Sequence, residues 1–212
     1  RRPMYLQVNG YRVGILAYSL TYPERYWAGP RKGGTAFGHL RWIQKDITKT
    51  RQMADFVVVI FHWGRERWPI LRPYQRTLAH TAIDAGADLG VGHHPHVLQP
   101  VERYHGHTVV YSLGNLLFGS SSLRPEGAVL LVRLESDSVR YRYIPLEVRP
   151  PRGGTQPYPL PEPYRTLTLK DMLPEKGWRR IPLGAEWTAP WTSGSRKTDP
   201  SPVSEPRVLK GG

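Results

Sequence analysis

Gly92-His93-His94-Pro95-His96 places three imidazoles within four residues, and a fourth, His62, ends an apolar run well upstream. Imidazole nitrogens suit a borderline divalent metal such as Zn, Mn or Fe, and clustered histidines also suit a phosphate. In His94-Pro95-His96 the proline stiffens the loop, and the one-residue gap lets both rings face one ion or an adjacent pair. A lone loop histidine is ordinarily a hydrogen-bonded structural residue. It is the grouping of His93, His94 and His96 opposite His62 that points to metal or phosphate binding. Glu66 lies four residues past His62 and offers a general acid, a general base or a further ligand, or else an exposed partner for Arg65 or Arg67. Arg65, Arg67, Arg72 and Arg76 give the same region a positive field that suits an anionic substrate, unless they are simply a solvated basic face. Asn115, at the end of a later strand, offers an amide to the site or caps that strand with a turn.

Something must bring these residues together. Asp55-Phe56-Val57-Val58-Val59-Ile60-Phe61 is an apolar, β-branched run that reads as a strand buried on both faces and delivers His62 at its end. Pro73 opens a helix, with Tyr74, Leu78 and Ala82 on one stripe and Gly86 as its stop. Asp88-Leu89-Gly90-Val91 is a short second strand that runs into the histidine cluster. In a right-handed βαβ unit both strands point the same way, so their carboxyl ends share one sheet edge, where open α/β sheets place ligands. Topology therefore predicts that His62 meets the 93–96 cluster. His39, His80, His105 and His107 have no such convergence and read as structural, and Trp63, Trp68 and Tyr74 read as core or rim packing.

Upstream, Tyr5–Val8 and Tyr11–Leu16 flank Asn9-Gly10, a strong hairpin signal because both turn residues tolerate positive φ. Residues 21–38, rich in proline, glycine and aromatics, read as a loop over the surface or the site, with a mobile linker as the alternative. Leu40, Ile43, Ile47, Thr50 and Ala54 recur at helical spacing. Downstream, extended chain from Val97 to Tyr104 turns at His105-Gly106 or Gly106-His107 into Thr108–Tyr111, and Ala128–Leu134 and Val139–Leu146 alternate as an antiparallel pair. Beyond Arg149 the prolines are dense, which predicts a packed domain over 1–149 and a largely irregular Pro/Gly/Arg-rich tail over 150–212, with a short docked segment near Leu167–Leu173.

The 212 residues include no cysteine, which excludes disulfides and thiolate metal sites and fits an extracytoplasmic life without showing it. No apolar run approaches the ~20 residues of a membrane-spanning helix. The formal net charge of +13 predicts attraction to polyanions without choosing among nucleic acid, anionic membrane and acidic polymer. The chain starts at Arg1 and enters a hairpin at once, which reads as part of a longer protein, one whose missing portion could have carried a targeting segment.

His62-Trp63-Gly64-x-Glu66, Gln75, Leu78-Ala79, Asp84-Ala85-Gly86-Ala87-Asp88, Gly92-His93-His94-Pro95-His96-Val97-Leu98-Gln99-Pro100-Val101-Glu102 and Tyr111-Ser112-Leu113-Gly114-Asn115 form a motif string. It resembles the capsule synthesis protein CapA family, as does Asn9-Gly10 with Arg12–Tyr18, over about Leu6 to Leu146. The resemblance implies an α/β sandwich of the calcineurin-like metallophosphoesterase type, here its carboxyl-terminal half, built from the βαβ unit and antiparallel strands. It also implies a role in synthesis, export or anchoring of an anionic capsular polymer such as poly-γ-glutamate, alongside capsule synthesis machinery at the cell envelope. By resemblance, His62 matches a strand-end ligand, and His94 and His96 match a closing His-x-His pair, with His93 as an alternative, on divalent ions (Mn, Zn or Fe). The superfamily's early Gly-Asp and Asn-His motifs are absent, so the site lacks its bridging carboxylate and amide, the hydrolase is expected to be weak or inactive in this chain alone, and the sheet is expected to expose an edge. A non-catalytic polyanion-binding module and a metal-dependent phosphoesterase acting on nucleotides or nucleic acid stay open beside that reading.

Overall fold

The computed structural model describes residues 1–117, 126–148 and 156–191, so the Pro/Gly run at 150–154 and the chain from 192 onward lie outside the described residues. The fold is mixed α/β, with two sheets and three α-helices among those residues.

The first sheet takes in β1 (Met4–Val8), β2 (Tyr11–Ser19), β3 (Phe56–His62), β4 (Leu89–His93), β5 (Leu98–Tyr104) and β6 (His107–Leu113), in the order β1-β2-β3-β4-β6-β5. The Asn9-Gly10 hairpin forms as expected, with φ of 49° and 84° at its two turn residues. β2, β3, β4 and β6 are mutually parallel, and β1 and β5 close the sheet as antiparallel edges. β1 is an edge strand that shows Met4, Leu6 and Val8 to solvent. Two helices link the parallel strands, α1 (Leu40–Arg51) and α2 (Pro73–Asp84), each where the 3.6-residue stripe placed it. Ile43 and Ile47 of α1 and Leu78 and Ala82 of α2 pack on Val57, Val59, Phe61, Val109 and Tyr111, filling one face of the sheet.

β3 and β4 run one to two residues further than the apolar runs suggested. His62 and His93 are therefore the last strand residues and stand in register. Asp88 falls before β4, where it is buried, accepts the Val57 N–H at 2.7 Å and pairs with Arg51, tying α1 to both strands at the edge opposite the histidines. A neutral side chain there would leave Arg51 without its anion.

The second sheet covers the other face. β7 (Glu126–Leu134) and β8 (Ser138–Glu147) form the expected antiparallel pair, and Val139, Tyr141 and Tyr143 point inward from alternate positions of β8. Residues 156–191 correct the expectation of an irregular tail. They form β9 (Tyr158–Pro159), α3 (Tyr164–Met172), β10 (Arg179–Ile181) and β11 (Gly184–Pro190), with β11 zipped onto β8 from Ser138 to Tyr143. Leu169, Leu173, Ala185, Trp187, Ala189 and Trp191 are buried in the same cluster as Val13, Phe56, Leu98, Val101 and Val110. The prolines misled because they sit where they cost nothing: Pro163 precedes α3, Pro159 lies in a two-residue strand, and Pro190 ends β11. α3 and its C-terminal cap Leu173 take in the docked segment expected near Leu167–Leu173.

Candidate metal centre

Ser19, His62 and His93 occupy one register row at the carboxyl ends of β2, β3 and β4. The loops that leave this edge carry the rest of the site. After β3 the chain turns through Gly64 (φ 88°) and Arg67 (φ 58°), and after β4 through His94 (φ 100°) and His96 (φ 58°). Positive φ at three non-glycine residues is backbone strain of the kind that collects at functional sites. It is held by cross-links. Arg67 N–H donates to the Pro95 carbonyl at 2.7 Å, Trp63 N–H to the His93 carbonyl at 3.1 Å, and Gly64 N–H to the Tyr74 hydroxyl at 2.7 Å. Gly92 admits the closest approach, since a Cβ there would lie 1.9 Å from the Tyr111 carbonyl oxygen and 2.4 Å from the Trp63 indole nitrogen.

Glu66, His94 and His96 bring one carboxylate oxygen and two imidazole nitrogens within 4.8 Å of one another, the arrangement that could hold a metal ion among the described residues. The His62 ring lies beside them, 4.7 Å from the His94 ring between centroids, and the His94 and His96 rings are 6.2 Å apart. Topology brings the strand-end histidine to the same edge as the His-x-His loop, but His62 stands outside the three-residue group. The donor set fits a borderline divalent ion, with nitrogen dominant and one hard oxygen. His93 lies on the same edge but outside the three-residue group.

Burial lowers the pKa of His62, His93 and His94 below the ordinary imidazole value, and neighbouring imidazoles push the same way. For His62 and His94 the Glu66 carboxylate opposes that fall. The rings are thereby biased towards the neutral, lone-pair form that a metal requires. Asn115 fixes a further one. Its Nδ2 donates to the His96 carbonyl at 3.2 Å, so its Oδ1 faces the ring and accepts from Nδ1 at 2.7 Å. That places the His96 proton on Nδ1 and the lone pair on Nε2. Asn115 is buried, with both amide atoms on His96, so it positions that ring instead of offering an amide outward.

The arginines separate. Arg65 lines a cleft of about 700 Å³ together with Glu66 and His94, and its guanidinium lies 4.9 Å from the centroid of the Trp68 ring. Arg67 is held through its backbone, and Arg72 is the residue that caps α2. Trp63 is core: it is fully buried and stacked 4.2 Å from Phe61. Of the remaining histidines, His39 caps α1, while His80, His105 and His107 lie beside Glu102, Asp84 and Asp88.

Sequence reasoning missed one support. Gln75 and Gln99 are both fully buried. Gln75 Nε2 donates to Gln99 Oε1 at 2.9 Å, Gln99 Nε2 to the Trp68 carbonyl at 3.0 Å, and the Arg72 N–H to Gln75 Oε1 at 2.9 Å. This relay pins the loop that carries Glu66. Gln75 shares the buried stripe with Leu78 and Ala82, and a primary amide on an apolar stripe was the available signal. Residues 21–38, expected as a loop over the surface or the site, line the clefts on either side of the histidines and so form a wall of the site.

The model of the family described as Bacterial capsule synthesis protein PGA_cap matches residues 1–120. The chain belongs to that family. It is 34% identical over 146 residues to the PGA biosynthesis protein CapA of Bacillus subtilis (strain 168), covering 68% of this chain and 38% of that protein. The Capsule biosynthesis protein CapA of Bacillus anthracis is 36% identical over 132 residues, covering 60% of this chain and 32% of its own length. A "Probable polyglutamine synthesis accessory protein" of Mycobacterium tuberculosis is 28% identical over 116 residues, covering 52% of this chain and 30% of that protein. The chain thus spans about a third of the length of the curated relatives it matches. Every residue of the Glu66–His94–His96 group falls inside the matched segment. Among the described residues no helix is long and apolar enough to cross a membrane.

Proposed function

We propose that this PGA_cap chain is the carboxyl-terminal half of a metallophosphoesterase-type sandwich and acts, at the cell envelope, in synthesis, export or anchoring of an anionic capsular polymer such as poly-γ-glutamate. One observation carries the reading: in a family named for capsule synthesis, Glu66, His94 and His96 converge at the strand edge where His62 and His93 also end. His94, His96 and Glu66 would hold a divalent ion, with His62 beside them as a further ligand and His93 in reserve. A bound ion would supply Lewis-acid polarisation and lower the pKa of a coordinated water. The chain's own residues do the rest. Asn115 holds the His96 ring, the paired glutamines hold the Glu66 loop, and Arg65 sets a positive charge at the cleft for an anionic group. Glu66 is the one carboxylate in the group, and a site that is mostly imidazole holds hard cations weakly, so hydrolysis by this chain alone is expected to be slow.

A specific observation favours a second reading, that of a polyanion-binding module. Arg133, Arg140, Arg142 and Arg179 meet on the second sheet around Glu135 and Glu186, four cations to two carboxylates. Metal titration followed by elemental analysis separates the two. The metal reading expects about one Mn or Zn per chain, lost in His94→Ala and His96→Ala; no binding above background would leave the polyanion module. Competition of poly-γ-glutamate against nucleic acid at near-physiological salt then tests the partner, and nucleic acid winning by orders of magnitude would displace the capsule assignment.

A further inference from the structure

We propose that the site takes an amphiphilic anion: a phosphate or carboxylate head at Arg65 and the Glu66–His94 end, and an aliphatic or aromatic arm laid along the adjoining cleft. This rests on reading that edge as an anion- or metal-binding site. The cleft of about 700 Å³ is polarised. Its charged and metal-ligating side chains, Arg65, Glu66 and His94, are all at the site, whereas the rest of its lining is apolar, aromatic or uncharged. Leu20, Tyr22, Phe37, Leu40, Tyr74 and Leu78 supply that lining, and Tyr22, Phe37, Leu40 and Tyr74 expose between 36% and 75% of their surface. Apolar surface left open beside a charged site is what a ligand with an apolar arm would cover. The Tyr74 hydroxyl already accepts from Gly64 N–H, so this residue offers the cleft its ring.

The wall is built for the purpose. Tyr22, Trp27 and Phe37 pack as a cluster with ring centroids 5.4 Å and 4.1 Å apart, and the Trp27 indole donates to the Thr21 carbonyl at 3.0 Å. Backbone bonds from Ser19 N–H to the Ala36 carbonyl and from Thr35 N–H to the Tyr26 carbonyl, both 2.8 Å, fold the segment back on itself. A fixed aromatic wall loses little entropy on binding an apolar group. An anionic group attached to an apolar carrier would fill both ends.

Calorimetric titration with inorganic phosphate and with methyl, butyl, hexyl and octyl phosphate, below their micelle concentrations, tests this. The series is run at submillimolar Mn²⁺ and again in chelator. Each fully buried methylene should tighten binding about fourfold, so hexyl phosphate should exceed methyl phosphate by on the order of a hundredfold at partial burial. Thr77→Trp, on the exposed face of α2 at the cleft, should flatten the series while leaving methyl phosphate affinity and the melting temperature unchanged, and Tyr22→Ser with Phe37→Ser should flatten it in part. Affinity independent of chain length, or a chain-length gain that Thr77→Trp does not reduce, overturns the proposal. If the gain persists while affinity ignores both Mn²⁺ and His94→Ala, the cleft stands and the metal reading falls.

Discussion

Replacing Gln99 by Leu removes the middle of the buried relay beneath the Glu66 loop. The side chain of Gln99 is fully buried, accepts from Gln75 and donates to the Trp68 carbonyl. Leucine of similar volume fills the space but makes neither bond. Two polar groups are left without partners: the Gln75 amide N–H, itself fully buried, and the Trp68 carbonyl, partly buried. Each stranded group costs about 1–3 kcal/mol, and taking the lower half of that range for the carbonyl gives a loss of about 2–5 kcal/mol. For a chain of this length that lowers Tm by on the order of 10 °C. Thermal denaturation followed by circular dichroism reads it directly. Pairing Gln99→Leu with Gln75→Leu adds the sharper test, because removing both partners of one bond strands fewer groups than the two singles imply. The double variant should fall short of the sum of the singles by about 1–2 kcal/mol. A single-variant loss under ~0.5 kcal/mol, or strict additivity, would refute the claim that these amides act as one unit. Mn²⁺ affinity should fall alongside stability, since the same relay places Glu66.

Three further outcomes follow from other contacts. Asn115→Ala removes the acceptor at Nδ1 of the His96 ring and should weaken metal binding about 10–100-fold, so undiminished affinity would show that the ring is held by something else. Arg142 and Arg179, bonded to the Glu186 carboxylate, hold its pKa down to about 2. Its stabilising contribution is therefore complete above the ordinary carboxylate range and is lost as pH falls from ~4.3 towards about 2, and Glu186→Gln should remove that part of the acid transition in pH-resolved melts. Ending the chain after Thr155 strips Leu169, Leu173, Trp187 and Trp191 from the core, at roughly 1.5–3 kcal/mol each, which approaches the whole stability of a domain. No cooperative melting transition is expected, and a transition within a few degrees of the intact chain would mean those contacts contribute almost nothing.

The parallel unit was legible because its signals were redundant. An unbroken apolar run gave β3, Pro73 and Gly86 bracketed α2, and right-handed crossover then forced His62 and the 93–96 loop onto one edge. The second half of the chain was not legible, for the opposite reason. β10 and β11 are bounded by charge and glycine; β11 becomes a strand because β8 offers an edge, and β10 pairs with β11 in turn. Tertiary pairing outweighed local propensity there, and the density of prolines carried no information about their individual positions. Within the site, spacing identified the histidines and Glu66. It could not reveal that Asn115 turns inward or that Gln75 and Gln99 meet, since both depend on contacts between elements distant in sequence.

The strained residues explain why so much of this edge is cross-linked. Arg67, His94 and His96 each hold a backbone conformation that glycine adopts more cheaply, yet none of them is glycine. Such strain costs on the order of 1–3 kcal/mol per residue and persists only where the surroundings over-determine it. Here the surroundings are specific: buried Pro95 between the two histidines accepts from Arg67 N–H, Asn115 grips His96 at both its ring and its carbonyl, and Tyr74 fixes Gly64 at the head of the opposite loop. His105 holds positive φ in a plain hairpin turn, so the conformation alone does not mark a ligand; what sets His94 and His96 apart is that their rings meet Glu66. The same restraints that make the fold locally costly therefore make the site receptive, because a ligand arriving at His94, His96 and Glu66 meets donors whose ordering has already been paid for by the sheet beneath them.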